Sequence, residues 1–236
     1  MTTSGTQSFN LDLSNLIEEA FERCGAELRT GYDMRTARRS LNLMTIEWAN
    51  RGINLWTIEQ GSIPMVQGQI TYDLPVDTID LLDSVIRTQS GVEQTDINIS
   101  RISVSTYATI PNKNAQGRPI QVWIDRQSGA TEPTTGINYP TINVWPAPDQ
   151  SNFYTYVYWR LRRIQDAGNG VNTQDIPFRM LPCMVAGLAY YLAMKIPDAL
   201  PRLEMLKMAY EEQWLLASSE DREKASLRLA PRELFY

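Results

Sequence analysis

Histidine is absent from this chain of 236 residues. Imidazole is the commonest general base near neutral pH and the commonest metal ligand, so its absence removes Ser-His-Asp and Cys-His catalysis together with His-ligated zinc. Cysteine is almost absent too. Cys24 and Cys183 stand far apart in sequence, too few for a disulfide scaffold or a structural zinc site, and they read as buried thiols in a reducing compartment. The first ten residues are polar and show no basic segment leading into an apolar one, so no signal peptide is expected. No apolar run reaches the roughly 18 residues of a membrane span, so no membrane partner is expected and the chain should be made and folded in a cytoplasm. Positive charge is in deficit: 22 Lys+Arg against 27 Asp+Glu leave a net charge of −5, which gives no chain-wide field for phosphate. The GxxxxGK[ST], GxGxxG, GxSxG and HExxH signatures are missing, so no catalytic, metal or cofactor-binding residue is assigned.

What is present is a globular composition, 43% hydrophobic and 21% charged, long enough to bury a core in one or two domains. Between Asn10 and Leu28 the apolar residues Leu13, Leu16, Ile17, Ala20, Phe21, Cys24 and Leu28 recur at three and four, the stripe of an amphipathic helix that Gly25 loosens at its end. A second helix is predicted from Asp33 as N-cap to Asn50, with Ala37, Leu41, Met44 and Trp48 on one face, Leu43 and Ile46 extending the other, and Arg51-Gly52 stopping it. The period then shifts towards two in Leu55–Glu59, Gln69–Leu74, Ile120–Ile124, Thr141–Trp145 and Phe153–Leu161, with Val66–Gln69 reading as a tight hairpin turn and Pro75 as a strand end. A short helix fits between Arg101 and Ile110. Helical spacing returns from Pro177 to Pro197 and again from Ala199 to Ser218, where Leu203, Leu206, Tyr210, Trp214 and Ala217 share one side and Glu204, Lys207, Glu211 and Glu212 are solvated.

The expected fold is α+β: a helical bundle formed by residues 11–52 and 175–218, an antiparallel β domain inserted at 53–174, a flexible start over 1–10 and an extended C-terminal arm over 219–236. The arm is rich in charge yet ends on Leu234-Phe-Tyr236, an apolar group that water alone gives no reason to order.

Carboxylate pairs are the one common catalytic device that works without histidine, and Glu18, Glu19 and Glu47 sit on or near helices, where Glu is usually solvated surface. Arg35, Arg38 and Arg39 cluster at the start of the second helix, where they oppose the helix dipole. Ion pairing with Glu18, Glu19 or Glu47, an intersubunit contact and a phosphate contact all remain open for them, phosphate being disfavoured by the net charge. Glu47 and Arg51 are candidates for the same ion-pair or intersubunit roles. The six Trp and eleven Tyr read chiefly as core, with one or two available as interface anchors.

The run from Ala37 to Trp56, Ala-Arg-Arg-Ser-Leu-Asn-Leu-Met-Thr-Ile-Glu-Trp-Ala-Asn-Arg-Gly-Ile-Asn-Leu-Trp, closely resembles a segment of the head-to-tail adaptors of short-tailed bacteriophages, of the tail tubular A or packaged-DNA-stabilisation type. Ala20-Phe-Glu-Arg-Cys-Gly25, Gly68-Gln-Ile-Thr-Tyr-Asp-Leu-Pro75 with Thr78–Leu82, Tyr107–Lys113, Gly117-Arg-Pro119, Val144-Trp-Pro-Ala-Pro148 and Leu188–Lys195 continue the likeness in order over about residues 11–217. The resemblance implies a structural, non-enzymatic virion protein between portal and tail. It implies a dodecameric ring that contacts the portal protein and the tail nozzle protein and helps retain DNA that passes through without sequence-specific binding. It also implies that the C-terminal arm, through Arg228, Leu229, Arg232, Leu234, Phe235 and Tyr236, touches the portal or a neighbouring subunit. Two other readings stay in view: a tail-associated cell-wall glycoside hydrolase using Glu18 or Glu47, and a DNA-binding module using Arg35, Arg38 and Arg39.

Overall fold

The first helix, α1 (Leu13–Cys24), starts where the sequence supplies a cap and stops where it supplies a glycine. Asp12 Oδ1 accepts a hydrogen bond from the Asn15 N–H at 2.8 Å. Gly25 adopts a left-handed φ of 76°, its N–H donating to the Glu22 carbonyl, and a Cβ there would lie 2.6 Å from Arg202 Nη1. The computed structural model describes residues 4–6, 8–29, 31–52, 55–89, 91–126 and 139–221. Every predicted apolar residue of α1 from Leu13 to Cys24 is buried.

Helix α2 (Gly31–Asn50) begins slightly before the expected Asp33. Ala37, Leu41, Met44 and Trp48 are wholly buried, and Leu43 and Ile46 lie on the other face, where they are 54% and 45% exposed. Among the described residues two later helices belong to this unit. The apolar α4 (Leu181–Ala193) has Pro182 in its first turn, where a missing N–H costs little, and α5 (Leu203–Glu220) follows a 3-10 turn at Pro197–Arg202. Helix α4 packs against α1, α2 and α5 and is buried on nearly every side. Its Gly187 permits the closest approach: a Cβ there would lie 2.5 Å from Met44 Sδ and 2.8 Å from Tyr210 Cε2.

One compact unit comprises residues 1–56 and 164–236, the other Thr57–Arg163. Of the residues assigned to the β domain from sequence, 55–56 and 164–174 thus group with the helices; Trp56 Nε1 donates to the Asp175 carbonyl at 3.0 Å. At the other end α5 runs to Glu220 and Asp221 is buried, so residues 219–221 belong to the helical unit and not to the arm.

The described residues of the second unit form two four-stranded sheets and the short helix α3 (Val104–Ala108). Strands β1 (Ile58–Pro64), β3 (Thr78–Thr88), β4 (Thr95–Asn98) and β8 (Tyr154–Arg162) pair antiparallel in the order β1-β8-β3-β4. Strands β2 (Thr71–Asp73), β5 (Ser100–Arg101), β6 (Gln121–Asp125) and β7 (Thr141–Trp145) form the order β2-β7-β6-β5, antiparallel except for the two-residue β5–β6 pair. The turn at Val66–Gln69 is tight, with the Gln69 N–H donating to the Val66 carbonyl at 3.1 Å, but it is not a hairpin: β1 and β2 lie in different sheets. Leu81, Ile86, Tyr156 and Tyr158 from one sheet and Tyr72, Val122, Ile142 and Val144 from the other share one core.

Burial pushes the Cys24 thiol up to about 11, partly offset by the Arg202 charge, and the Cys183 thiol up to about 12, leaving almost no thiolate at neutral pH. A thiol reagent at pH 8 should leave the native chain unmodified and label both cysteines in denaturant; native labelling at the rate of a free cysteine would contradict the packing.

In the β unit Arg160, 9% exposed, donates to Asp77 Oδ1 at 2.6 Å, Thr78 Oγ1 at 3.1 Å and Glu59 Oε2 at 2.8 Å. Burial pushes the Asp77 carboxyl up, but the hydrogen bond and charge of Arg160 outweigh it and hold Asp77 below the usual carboxylate value. A folded value below the unfolded one, about 3.9, means stability that is full above pH 4 to 5 and lost as pH falls through the folded value. Both carboxylates are partly solvated, so Arg160→Met should cost about 1–3 kcal/mol at pH 7 rather than the full figure for a buried pair. Urea unfolding from pH 7 to 2 should show that the variant has lost part of the acid dependence; an unchanged acid limb would refute the assignment.

Candidate docking surfaces

Inside the helical unit, α2 and α5 are locked by a polar-aromatic network. Trp48 Nε1 donates to the Tyr210 hydroxyl at 2.9 Å, and the Trp48 and Trp214 rings lie 5.6 Å apart. The Arg51 guanidinium sits 4.6 Å from the Trp214 ring centroid and 5.5 Å from that of Tyr210, pairing with Glu47 at 2.5 Å and Glu211 at 3.3 Å. The Tyr191 hydroxyl donates to Glu47, and burial, reinforced by that carboxylate, raises the pKa of the phenol. Glu47 and Arg51 are thus brought together as an intramolecular pair. Of the carboxylates considered for acid chemistry, Glu47 is committed to Arg51 and Tyr191, Glu19 pairs with Arg23 at 2.9 Å, and Glu18 stands exposed on α1.

The arginine cluster is arranged differently. Arg35 and Arg39 are exposed on α2, and Arg38 donates from Nη2 to the Ala167 carbonyl at 3.2 Å. Among the described residues none of the three forms an ion pair with Glu18, Glu19, Glu47 or any other carboxylate. Lys195 adds a fourth cation, its Nζ donating to Ser40 Oγ at 2.6 Å, and burial together with the Arg39 charge lowers its pKa. An open groove of about 300 Å³ runs along Arg35, Arg38, Arg39, Asn42 and Leu43. Like charges gathered at the positive end of a helix repel one another and call for an anionic counterpart.

The outer face of α5 carries a feature that the sequence reading missed. Beyond the buried Leu206, Tyr210 and Ala217, the side chains of Met205, Met208, Leu215 and Leu216 are exposed, more than half the surface of each facing solvent. The signal was present as a second spacing of three and four through 205, 208, 212 and 215, masked because its third position is Glu212 and because Glu204, Lys207 and Glu211 lie beside it. The arm residues Arg228, Leu229, Arg232, Leu234, Phe235 and Tyr236 lie outside the described residues.

Among the described residues no group of three or more Cys, Asp or Glu side chains is placed to hold a metal ion, and no helix is long and apolar enough to cross a membrane. Among the described residues the helical unit thus carries an exposed arginine cluster on α2 and exposed apolar side chains on α5. The SU10 adaptor protein family model matches residues 11–232, both units and most of the C-terminal segment, and the chain belongs to that family. It is a bacteriophage structural adaptor of the head-to-tail class, which implies a place in the virion between head and tail, contact with portal and tail components, and a non-enzymatic role. No curated protein matches the chain.

Proposed function

We propose that the protein is the adaptor of a short-tailed phage, assembling as a dodecameric ring that joins the portal protein to the tail nozzle protein and helps retain packaged DNA. The observation that carries this is the family match across residues 11–232, a range that takes in both folded units. The helical unit supports it through faces on α2 and α5 that a free monomer has no use for. The arm, through Arg228, Leu229, Arg232, Leu234, Phe235 and Tyr236, reaches the portal or a neighbouring subunit. Many copies of a modest contact make the joint firm, because binding at one site raises the effective concentration at the next. The net charge of −5 suits a channel wall along which DNA slides without adhering.

Light scattering of the purified protein, alone and mixed with its cognate portal ring, tests the reading. A chain that joins the portal as a closed ring is the expected result. A chain that ignores the portal overturns it.

A further inference from the structure

Two exposed helix faces in this molecule are complementary to each other. On α2 the outward line is Tyr32, Arg35, Arg39, Leu43 and Ile46, stepping by three or four residues and therefore lying along one side of the helix, opposite the buried Ala37, Leu41, Met44 and Trp48. It is basic at its centre and apolar towards both ends. On α5 the outward line is Met205, Met208, Glu212 and Leu215, with Leu216 beside it, acidic at its centre and apolar towards both ends. Charge follows the same rule over the whole helix, since α5 carries Glu204, Glu211, Glu212 and Glu220 against Lys207 alone. Glu211 is used by Arg51, whereas Glu212 has no ion-pair partner among the described residues.

We propose that the outer face of α2 in one subunit docks on the outer face of α5 in a second copy of this chain, with Arg39 and Glu212 paired at the centre and Leu43, Ile46, Met208 and the 215–216 leucines covering one another around them. The contact rests on the adaptor reading for its place in the virion and specifies which surfaces of the ring meet. Each subunit offers one α2 face and one α5 face, and the two are different, so the contact is head-to-tail and every docked subunit leaves a free face for the next. A basic face does not pair with itself, which disfavours a two-fold dimer through α2. Duplex DNA would satisfy the arginines but leave Leu43 and Ile46 uncovered. The C-terminal segment, with Arg222, Lys224, Arg228 and Arg232, would answer the acid of α5 but leave the α2 face bare.

The test is reciprocal charge reversal, read by sedimentation velocity over a concentration series, alone and with the portal ring. Arg39 and Glu212 are both exposed, so Arg39→Glu and Glu212→Arg should leave thermal unfolding unchanged. Each alone should weaken self-association by about tenfold or more, by placing like charges together at the centre of the contact. The chain carrying both reversals should recover to within about threefold of the wild type, as a shared pair requires. Leu43→Asp should weaken association as strongly and be rescued by neither reversal.

The interface proposal is overturned if Arg39→Glu associates like the wild type, or if the double reversal is no better than the single ones. It is equally overturned if Arg39→Glu loses only salt-dependent DNA binding, or if a chain ending at Asp221 associates more tightly because its own arm had covered α5. In each case a wild type that still joins the portal preserves the adaptor reading. A wild type that associates with neither itself nor the portal removes both.

Discussion

A chain ending at Ala217 should lose about 2–4 kcal/mol of stability, whereas one ending at Asp221 should keep the wild-type value and fail only in docking to the portal. The difference lies in four residues. Asp221 has a side chain with no solvent exposure, although it sits at the very end of α5. Its Oδ1 accepts from Arg179 Nη2 at 2.6 Å, its Oδ2 accepts from the Leu55 N–H at 3.4 Å, and its own N–H donates to the Ala217 carbonyl at 3.1 Å. Residue 221 therefore ties α5 to the turn before α4 and to the chain leaving α2. Cutting after Ala217 removes the last turn of the helix and leaves Arg179, about two-thirds buried, without its carboxylate. Asp221→Ala in the full-length chain should reproduce most of that loss, because it removes the same acceptors while keeping the arm. Thermal unfolding of the three chains decides the matter: equal midpoints for the chains ending at 217 and 221 would show that Asp221 contributes nothing and that the boundary lies earlier.

Much of the helical unit was legible because its helices obey one-face periodicity. The stripe of α1 and the inner face of α2 were read residue by residue, and they pack as read. Spacing also puts Leu43 and Ile46 on the other face of α2, as the structure has them, but spacing assigns a face and not its cover, so their exposure needed three dimensions. The β unit was legible where strands alternate cleanly, as in β6 and β7. It was less so in β3, whose pairing with β8 shifts register between Thr78 and Asp80 and again between Leu81 and Asp83, breaking the period of two. Sheet membership at Val66–Gln69 was not legible at all, because a turn motif reports a reversal of the chain and says nothing of which strand each arm will pair with. At the candidate site the arginine cluster was visible as a charge anomaly, but its lack of carboxylate partners among the described residues needed three dimensions. Glu47 was drawn off by Arg51, its neighbour one helical turn away, a pairing that local spacing already favoured.

The heaviest single loss should come from Trp48→Ala, which is expected to unfold the helical unit under conditions where the wild type is stable. Trp48 is wholly buried and lies where α2 meets α5, its indole N–H donating to the Tyr210 hydroxyl and its ring against Trp214. Truncating a buried Trp to Ala costs about 3–5 kcal/mol through lost burial and the cavity left behind. The Tyr210 hydroxyl, itself within a residue only 1% exposed, would lose its donor at the same time. That sum is a large fraction of the roughly 5–15 kcal/mol that holds a domain of ordinary stability together. Trp48→Phe separates the two contributions, since it restores most of the volume but not the donor, and it should be clearly milder. Gly187→Leu attacks the same junction from the opposite direction, because even a Cβ would sit 2.5 Å from Met44 Sδ and a whole side chain forces α4 away from α2 and α5. Both Trp48→Ala and Gly187→Leu should also abolish ring assembly, as the outer faces of α2 and α5 keep their orientation only while the inner faces hold. Denaturant unfolding followed by tryptophan fluorescence and near-ultraviolet dichroism measures the loss. A Trp48→Ala chain that keeps its near-ultraviolet signal and unfolds within about 1 kcal/mol of the wild type would mean that the junction relaxes freely and that another contact carries the bundle.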